Sequence, residues 1–283
     1  YLSGFTGSNG YILVTSSDLV LFTDFRYLEQ AGSESPHMSI IRIRNGYRSL
    51  SETIAKFSLR SVAFEPNHIT YAEHKAVSES LSGDVSFTPV LNIVEELRCE
   101  KDDFEIEILS EAVRIADIAM AEAANYLQVG IRECDVSEVI ESALKSAGAI
   151  GTAFDTIVAS GPNSALPHHK AGNRLISKGD SVVIDMGALY KDYRSDLSRT
   201  YFVGDSERSK FDEIYGIVLE AQMAAEESAR PGMLGRELDA VARDVIEGYG
   251  YGSFFGHGLG HGVGVDVHEL PMVVPSSNDR ILQ

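Results

Sequence analysis

Asp185 and Asp196 stand eleven positions apart in a segment that reads as two strands, SVVIDMGALY at 181–190 and KDYRSDLSRTYFVG at 191–204. Val182, Val183 and Ile184 form one apolar β-branched run, and Leu197, Thr200, Tyr201, Phe202 and Val203 form a second. A chain reversal near Tyr190–Lys191 would set the two aspartates directly opposite each other on one face of a hairpin, with Cβ atoms ~4.5–5.5 Å apart. Like charges in that position repel, and burial makes the repulsion worse. A divalent cation between them reverses the sign, because hard cations take carboxylate oxygens. On this spacing alone the plainer reading, two solvated aspartates flanking a polar turn, is the commoner one.

The segment FFGHGLGHGVGVDVHELP at 254–271 raises the metal reading. It carries His257, His261 and His268 with five glycines threaded among them. Gly258, Gly260, Gly262 and Gly264 argue against a helix, despite the four-residue spacing of His257 and His261. On an extended path those two share a parity and His268 has the other, which suggests different tasks in one pocket. The glycines suit a backbone that passes close to something or turns with positive φ. Val263, Val265 and Val267 alternate as in a half-buried strand, which disfavours a loose surface loop. A further histidine, His168, follows a strand-like stretch and a Ser-Gly-Pro-Asn turn in FDTIVASGPNSALPHHK at 154–170. By its residues alone it is balanced between this cleft and an ordinary loop. Ser195 and Ser198 have no histidine placed to activate them as nucleophiles.

Elements that would position these groups fall into two parts. Residues 1–95 alternate short strands (Tyr11–Val14, Leu19–Phe22, Ser39–Ile43, Ser61–Phe64) with helical stretches at Tyr47–Lys56 and Tyr71–Leu81, a small α/β domain. The polar stretch Glu95–Glu105 opens a second domain, 96–283, without a Gly/Pro linker. A long amphipathic helix follows, with Ile108, Leu109, Val113, Ile115, Ala116, Ala119, Met120, Ala123 and Leu127 at helical spacing, ending at Val129-Gly130. This second part repeats itself with a displacement of 102 residues. Gly130 maps to Gly232, Ile115 to Ile217, Val136 to Leu238, Leu144 to Ile246 and Gly148 to Gly250. Each copy reads helix, glycine turn, helix, glycine, β segment, and the two copies lead to His168 and His268. Such a duplication, with pseudo-two-fold symmetry, brings both β segments to one cleft.

The 283 residues suffice for sizeable cores, and the formal charge of −18 disfavours nucleic acid and anionic membranes as partners. Cys99 and Cys134 lack metal-ligand spacing and do not suggest a disulfide framework. No apolar run approaches the length of a membrane span. The expected setting is cytoplasmic.

In chain order, FDTIVASGPNSALPHH, VVIDMGALYKDYRSDLSRTYFVG and FGHGLGHGVGVDVHELP resemble the pita-bread metallopeptidases. The nearer resemblance is to their Xaa-Pro aminopeptidase and Xaa-Pro dipeptidase (prolidase) branch. YLSGFTGSNGYILVT at 1–15 and TYAEHKAVSESL at 70–81 resemble that branch's N-terminal domain. The resemblance implies an α/β (α+β) architecture: a small N-terminal domain, then a pita-bread domain with the internal repeat. It implies two divalent ions, with Mn²⁺ favoured by carboxylate-rich ligation and Co²⁺ or Zn²⁺ as alternatives. Asp185, Asp196 and His261 are then metal ligands, with Asp196 bridging. His168, His257 and His268 match the family's non-ligand active-site histidines, His168 and His257 lining the pocket for proline. The implied substrate is a peptide with proline second, and the implied assembly a homodimer. Two glutamate ligands are expected in strands beyond Gln283, so Glu269 is not assigned as one, and the chain reads as an internal portion of a longer protein that is inactive by itself. Alternatives on the same fold are a creatinase-like hydrolase and a catalytically silent domain that binds a protein partner. Both predict loss of the ligands present here.

Overall fold

The computed structural model describes residues 1–281, so the last two residues of the expected 96–283 domain lie outside the described residues. The chain divides into two compact units, Tyr1–Ile93 and a second beginning at Val94. In the first, β1 (Gly10–Val14) and β2 (Leu19–Thr23) pair antiparallel, and after α1 (Leu28–Glu34) the strand β3 (Ser39–Arg42) joins β2 in parallel. Helix α2 (Arg48–Lys56), β4 (Ser61–Phe64), α3 (Tyr71–Ser80) and β5 (Ser86–Pro89) complete it, with β4 and β5 parallel. Thr70 and Glu73 close a reciprocal capping box that fixes where α3 starts. Neither α1 nor β5 is expected from the sequence. The first is seven residues long with Gly32 inside it, and the second is a short polar strand that ends on a proline.

The stretch Glu95–Glu105 is mostly helical. It contains most of α4 (Ile93–Cys99) and the start of α5 (Asp103–Tyr126), the latter capped by Asp102 and Glu105 in a second capping box. Helix α6 (Glu133–Ser146) packs antiparallel-fashion along α5 after the Gly130 turn, and both cover a sheet. The sheet contains β7 (Ile157–Ser160) and β8 (Ser181–Met186), which follow the two-residue β6 (Gly151–Thr152). Next come β9 (Ala188–Tyr190), β10 (Tyr193–Arg194) and β11 (Leu197–Phe202), with strand orders β11-β8-β7 and β10-β9-β6. Val182, Ile184 and Met186 point from β8 into a core shared with Ile115, Ala116, Ala119 and Ala123 of α5 and Val136, Ile140 and Leu144 of α6. Each large aliphatic side chain so buried contributes about 1.5–3 kcal/mol. Val113, placed on the apolar stripe by its spacing, is 46 % exposed; the true stripe is narrower and built mainly on alanine.

The 102-residue repeat is visible in the backbone. Helices α7 (Ser209–Ser228) and α8 (Gly235–Gly248) pack together as α5 and α6 do. Gly130 and Gly232 have positive φ, as do Gly148 and Gly250, so each copy turns with the same handedness at the same points. The Gly130 N–H donates to Ile176 O and the Gly232 N–H to Ile281 O, both at 2.8 Å. The second copy ends in the hairpin of β12 (Gly260–Gly262) and β13 (Glu269–Val273).

Gly187 sits between β8 and β9, where the chain leaves one strand ladder for the other. A Cβ there would overlap the carbonyl oxygen of Ser195. Gly187→Ala is therefore expected to destabilise the fold by more than about 2 kcal/mol, read as a lower urea midpoint, because backbone oxygen must move to admit the methyl group.

Candidate active site

The hairpin that carries both aspartates turns one residue later than the sequence suggests. Tyr190 pairs with Tyr193, leaving Lys191 and Asp192 as a two-residue loop with φ of 47° and 66°. That backbone matches a hairpin turn with both central residues left-handed, a role usually taken by Asn-Gly or Asp-Gly, so Lys-Asp gives little signal in sequence. Register follows from the turn. Asp185 lies opposite Ser198, not Asp196, and the Ser198 hydroxyl donates to Asp185 Oδ1 at 2.7 Å. A slip of two residues preserves the face. Asp196, just ahead of β11, still lies near enough to Asp185 for the two charges to act on each other.

Both carboxylates are half-buried. Burial pushes the Asp196 carboxyl up, the Asp185 charge adds to the rise, and His261 and His268 oppose it. His261, in β12, places Nε2 3.4 Å from Asp196 Oδ2. Its Nδ1 faces the carbonyl of Gly262 at 3.0 Å, which orients the ring with Nε2 toward the aspartates. The His268 ring lies 4.2 Å from that of His261, centroid to centroid. Asp185, Asp196, His261 and His268 thus come together.

His168 and His257 are joined to that group by no hydrogen bond, ion pair or ring contact among the described residues. His168 is exposed on the loop after a short 3₁₀ turn at Gly161–Ala165. His257 is exposed too, with Nδ1 2.7 Å from Gly258 O and its ring edge-on to Phe255. The segment Val263–His268 is not a strand. It bends around the Glu269 carboxylate, with Gly264 so close that a Cβ would strike it. Arg194 holds the bend: its N–H donates to Gly264 O at 2.7 Å and its guanidinium to Val265 O. Arg194 therefore docks the aspartate hairpin onto the histidine run.

Glu269 has its own partners. It is buried and paired with Arg98 and with Lys101, the latter at 3.2 Å, and it accepts the Asp266 N–H at 2.8 Å. The charges of Glu95–Glu105 thus include the counter-ions of a buried carboxylate.

Glu133 is the main residue that sequence reasoning missed. Standing among charges at the start of α6, it reads as a solvated helix-end acid, yet it is fully buried. Oε1 accepts from the Ser160 N–H at 2.8 Å, the Ser160 hydroxyl at 2.7 Å and Asn163 at 2.9 Å; Oε2 meets His169 Nε2 at 2.8 Å and the Gly172 N–H at 3.3 Å. Burial alone would raise its pKa, but the hydrogen bonds from Ser160, Asn163 and His169 outweigh that and lower it to about 2. Arg174 extends the network, donating to the Ser160 hydroxyl at 2.5 Å and pairing with Asp180 at 2.6 Å. The loop that carries His168 is fastened from both sides by this carboxylate.

The donor set fits a divalent cation: two carboxylates held close at an electrostatic cost, and an imidazole nitrogen facing them. Comparison with known proteins agrees. Residues 1–99 match the creatinase/prolidase N-terminal domain and residues 107–283 match metallopeptidase family M24. An Xaa-Pro dipeptidase from Pyrococcus furiosus is 41% identical over 278 residues, covering 96% of this chain and 77% of that protein. A solved Xaa-Pro dipeptidase from Bacillus anthracis superposes with a TM-score of 0.93 at 39% identity, over 98% of this chain and 78% of the other. An X-Pro aminopeptidase from Thermotoga maritima gives 0.89 at 36% identity, over all of this chain and 80% of the other. This chain therefore spans about three quarters of the length of those relatives. With two carboxylates and a histidine converging on one face, and with both of its parts matched, the chain belongs to metallopeptidase family M24, behind a creatinase/prolidase-type N-terminal domain.

Proposed function

We propose that this enzyme hydrolyses the Xaa-Pro bond, releasing an N-terminal residue that precedes proline or splitting an Xaa-Pro dipeptide. The convergence of Asp185, Asp196 and His261 carries the reading, and the similarity to Xaa-Pro dipeptidases supplies the substrate class. Asp185, Asp196 and His261 would hold divalent ions, Mn²⁺ by preference, with Asp196 shared between two. When bound, such ions polarise a carbonyl and make hydroxide available from water near neutral pH. His268, beside His261, hydrogen-bonds the oxygen on which charge develops as the peptide carbon becomes tetrahedral. His257 and His168 line the pocket for the proline residue and set its orientation. The Ser198 hydroxyl holds one oxygen of Asp185, so the carboxylate keeps its direction.

Both the creatinase-like and the silent-domain readings require loss of the aspartate–histidine set, which is retained. The test, made on the full-length protein, is hydrolysis of Ala-Pro against a longer peptide beginning Ala-Pro, with and without added Mn²⁺; turnover of neither overturns the reading. In the full-length protein Asp196→Ala is expected to remove more bound metal than Asp185→Ala, since a shared carboxylate serves both ions. Equal metal content in the two variants, measured after desalting, contradicts that sharing. The same reading includes a cytoplasmic homodimer. Two free cysteines accord with a reducing compartment, and light scattering of the purified enzyme tests the dimer. No helix among the described residues is long and apolar enough to cross a membrane.

A further inference from the structure

Residues 255–259 present a physical difficulty. They form no strand, they include Gly256 and Gly258, and Gly260 follows at once. Glycine loses more conformational freedom on ordering than any other residue, and no ladder repays that loss here. Gly258 is needed regardless, because a Cβ there would overlap Val274. Yet this stretch carries His257 and leads directly into His261.

A pair on α8 supplies what a neighbouring strand would. Asp239 is 1% exposed and grips Arg243 one turn on, Oδ2 to Nε at 2.8 Å and Oδ1 to Nη2 at 3.0 Å. The free donors of Arg243 then go to the loop, Nη1 to Phe255 O at 2.7 Å and Nη2 to His257 O at 2.8 Å. Asp239 Oδ1 takes the next step, accepting the Leu259 N–H at 2.9 Å. The contacts fall on residues 255, 257 and 259, every second position, as the edge of a strand would present them. The guanidinium also lies over the Phe255 ring, 4.3 Å from its centroid, and Phe255 in turn meets the edge of His257.

We propose that Arg243, oriented by Asp239, is a positioning residue that fixes the path of the histidine run and thereby the placement of His257 in the substrate pocket and of His261 against Asp196. Arg243 touches neither substrate nor metal. It acts through two backbone carbonyls, while Asp239 holds a third backbone group, and only a planar fork can satisfy two carbonyls and a carboxylate together. An ordinary helix-surface ion pair at this spacing would stabilise its own helix slightly and would order nothing beyond it. Where the kinetic consequences are concerned, the proposal rests on the Xaa-Pro reading; the structural consequence does not.

The experiment therefore uses the full-length protein and has two arms. In the first, imidazole ¹H–¹³C spectra of the metal-free enzyme are recorded at one pH for wild type, Arg243→Ala, Arg243→Lys and Asp239→Asn. Arg243→Ala is expected to shift or broaden the His257 and His261 signals while those of His37 and His74 stay in place. In the second, kcat and KM on Ala-Pro are expected to show a loss of about tenfold or more in kcat/KM, mostly as higher KM. Millimolar guanidinium should recover part of that loss in Arg243→Ala and none of it in wild type, a readout that general destabilisation would not move. Arg243→Lys should be intermediate, and it carries both arms together with Asp239→Asn if the alanine variant does not fold. Unchanged His257 and His261 signals in folded variants would overturn the proposal. Should wild type fail to cleave Ala-Pro, the functional reading falls, and the spectra still decide whether Arg243 places the loop.

Discussion

In the full-length enzyme His268→Ala is expected to keep its metal and lose ~10²–10³ in kcat, the magnitude for removing one hydrogen bond to a developing oxyanion. His261→Ala is expected to lose metal and activity together. The contrast follows from placement. His261 aims Nε2 at Asp196 from 3.4 Å, whereas His268 lies alongside the His261 ring, exposed at the rim of the same group. His257→Ala should also retain metal but raise KM, since loss of a pocket contact weakens substrate binding in ground and transition states alike. Metal content after desalting and steady-state kinetics on the three variants decide the matter. If His268→Ala sheds metal and His261→Ala does not, the two roles are exchanged.

The largest stability effect is expected at Glu133. All five groups facing its carboxylate are N–H, O–H or imidazole nitrogen, so Glu133→Gln must turn an amide N–H₂ toward donors inside the core. A fall from the ordinary value of 4.5 to about 2 corresponds to roughly 3 kcal/mol of preference for the charged form, and Glu133→Gln should forfeit about that much at neutral pH. The sign of the pH dependence follows from the direction of the shift. A carboxyl depressed on folding stabilises the fold above its ordinary pKa and loses that contribution as pH falls towards about 2. Wild type should therefore approach the Glu133→Gln variant in urea midpoint as pH drops below about 4.5, and the two should be furthest apart near neutrality. A constant difference between them from pH 7 down to about 3 would show that the charge contributes nothing. Because the network fastens the 161–172 loop, the same variant should also raise KM if His168 meets the substrate.

Local sequence determined a good deal of this enzyme. Strand β4 and helix α3 are legible from alternation and from the Thr70 capping box, since those signals act between residues that are neighbours along the chain. The 102-residue repeat is legible because the same short-range pattern of glycine turns and small apolar residues was used twice. That Asp185 and Asp196 share a face follows from their spacing and parity, whereas the ligand role proposed for His261 came with the family resemblance. An error of two in hairpin register did no harm to that reading, because a strand's faces alternate with period two.

What only the tertiary structure decided is where the buried charges go. Glu133, Glu269 and Asp239 look like ordinary acids in sequence, and each owes its role to groups brought to it from elsewhere in the chain. Glu133 is met by the 160–172 loop, Glu269 by Arg98 and Lys101 about 170 positions away, and Asp239 by the Leu259 N–H. The bend of Val263–His268 was likewise hidden. Alternating valines favour a strand locally, but the Glu269 carboxylate against Gly264 and the reach of Arg194 into the loop override that preference. A carboxylate removed from water must gather its hydrogen bonds from whatever the fold delivers. Propensity and periodicity are sums over near neighbours, and they carry no record of which distant donors arrive.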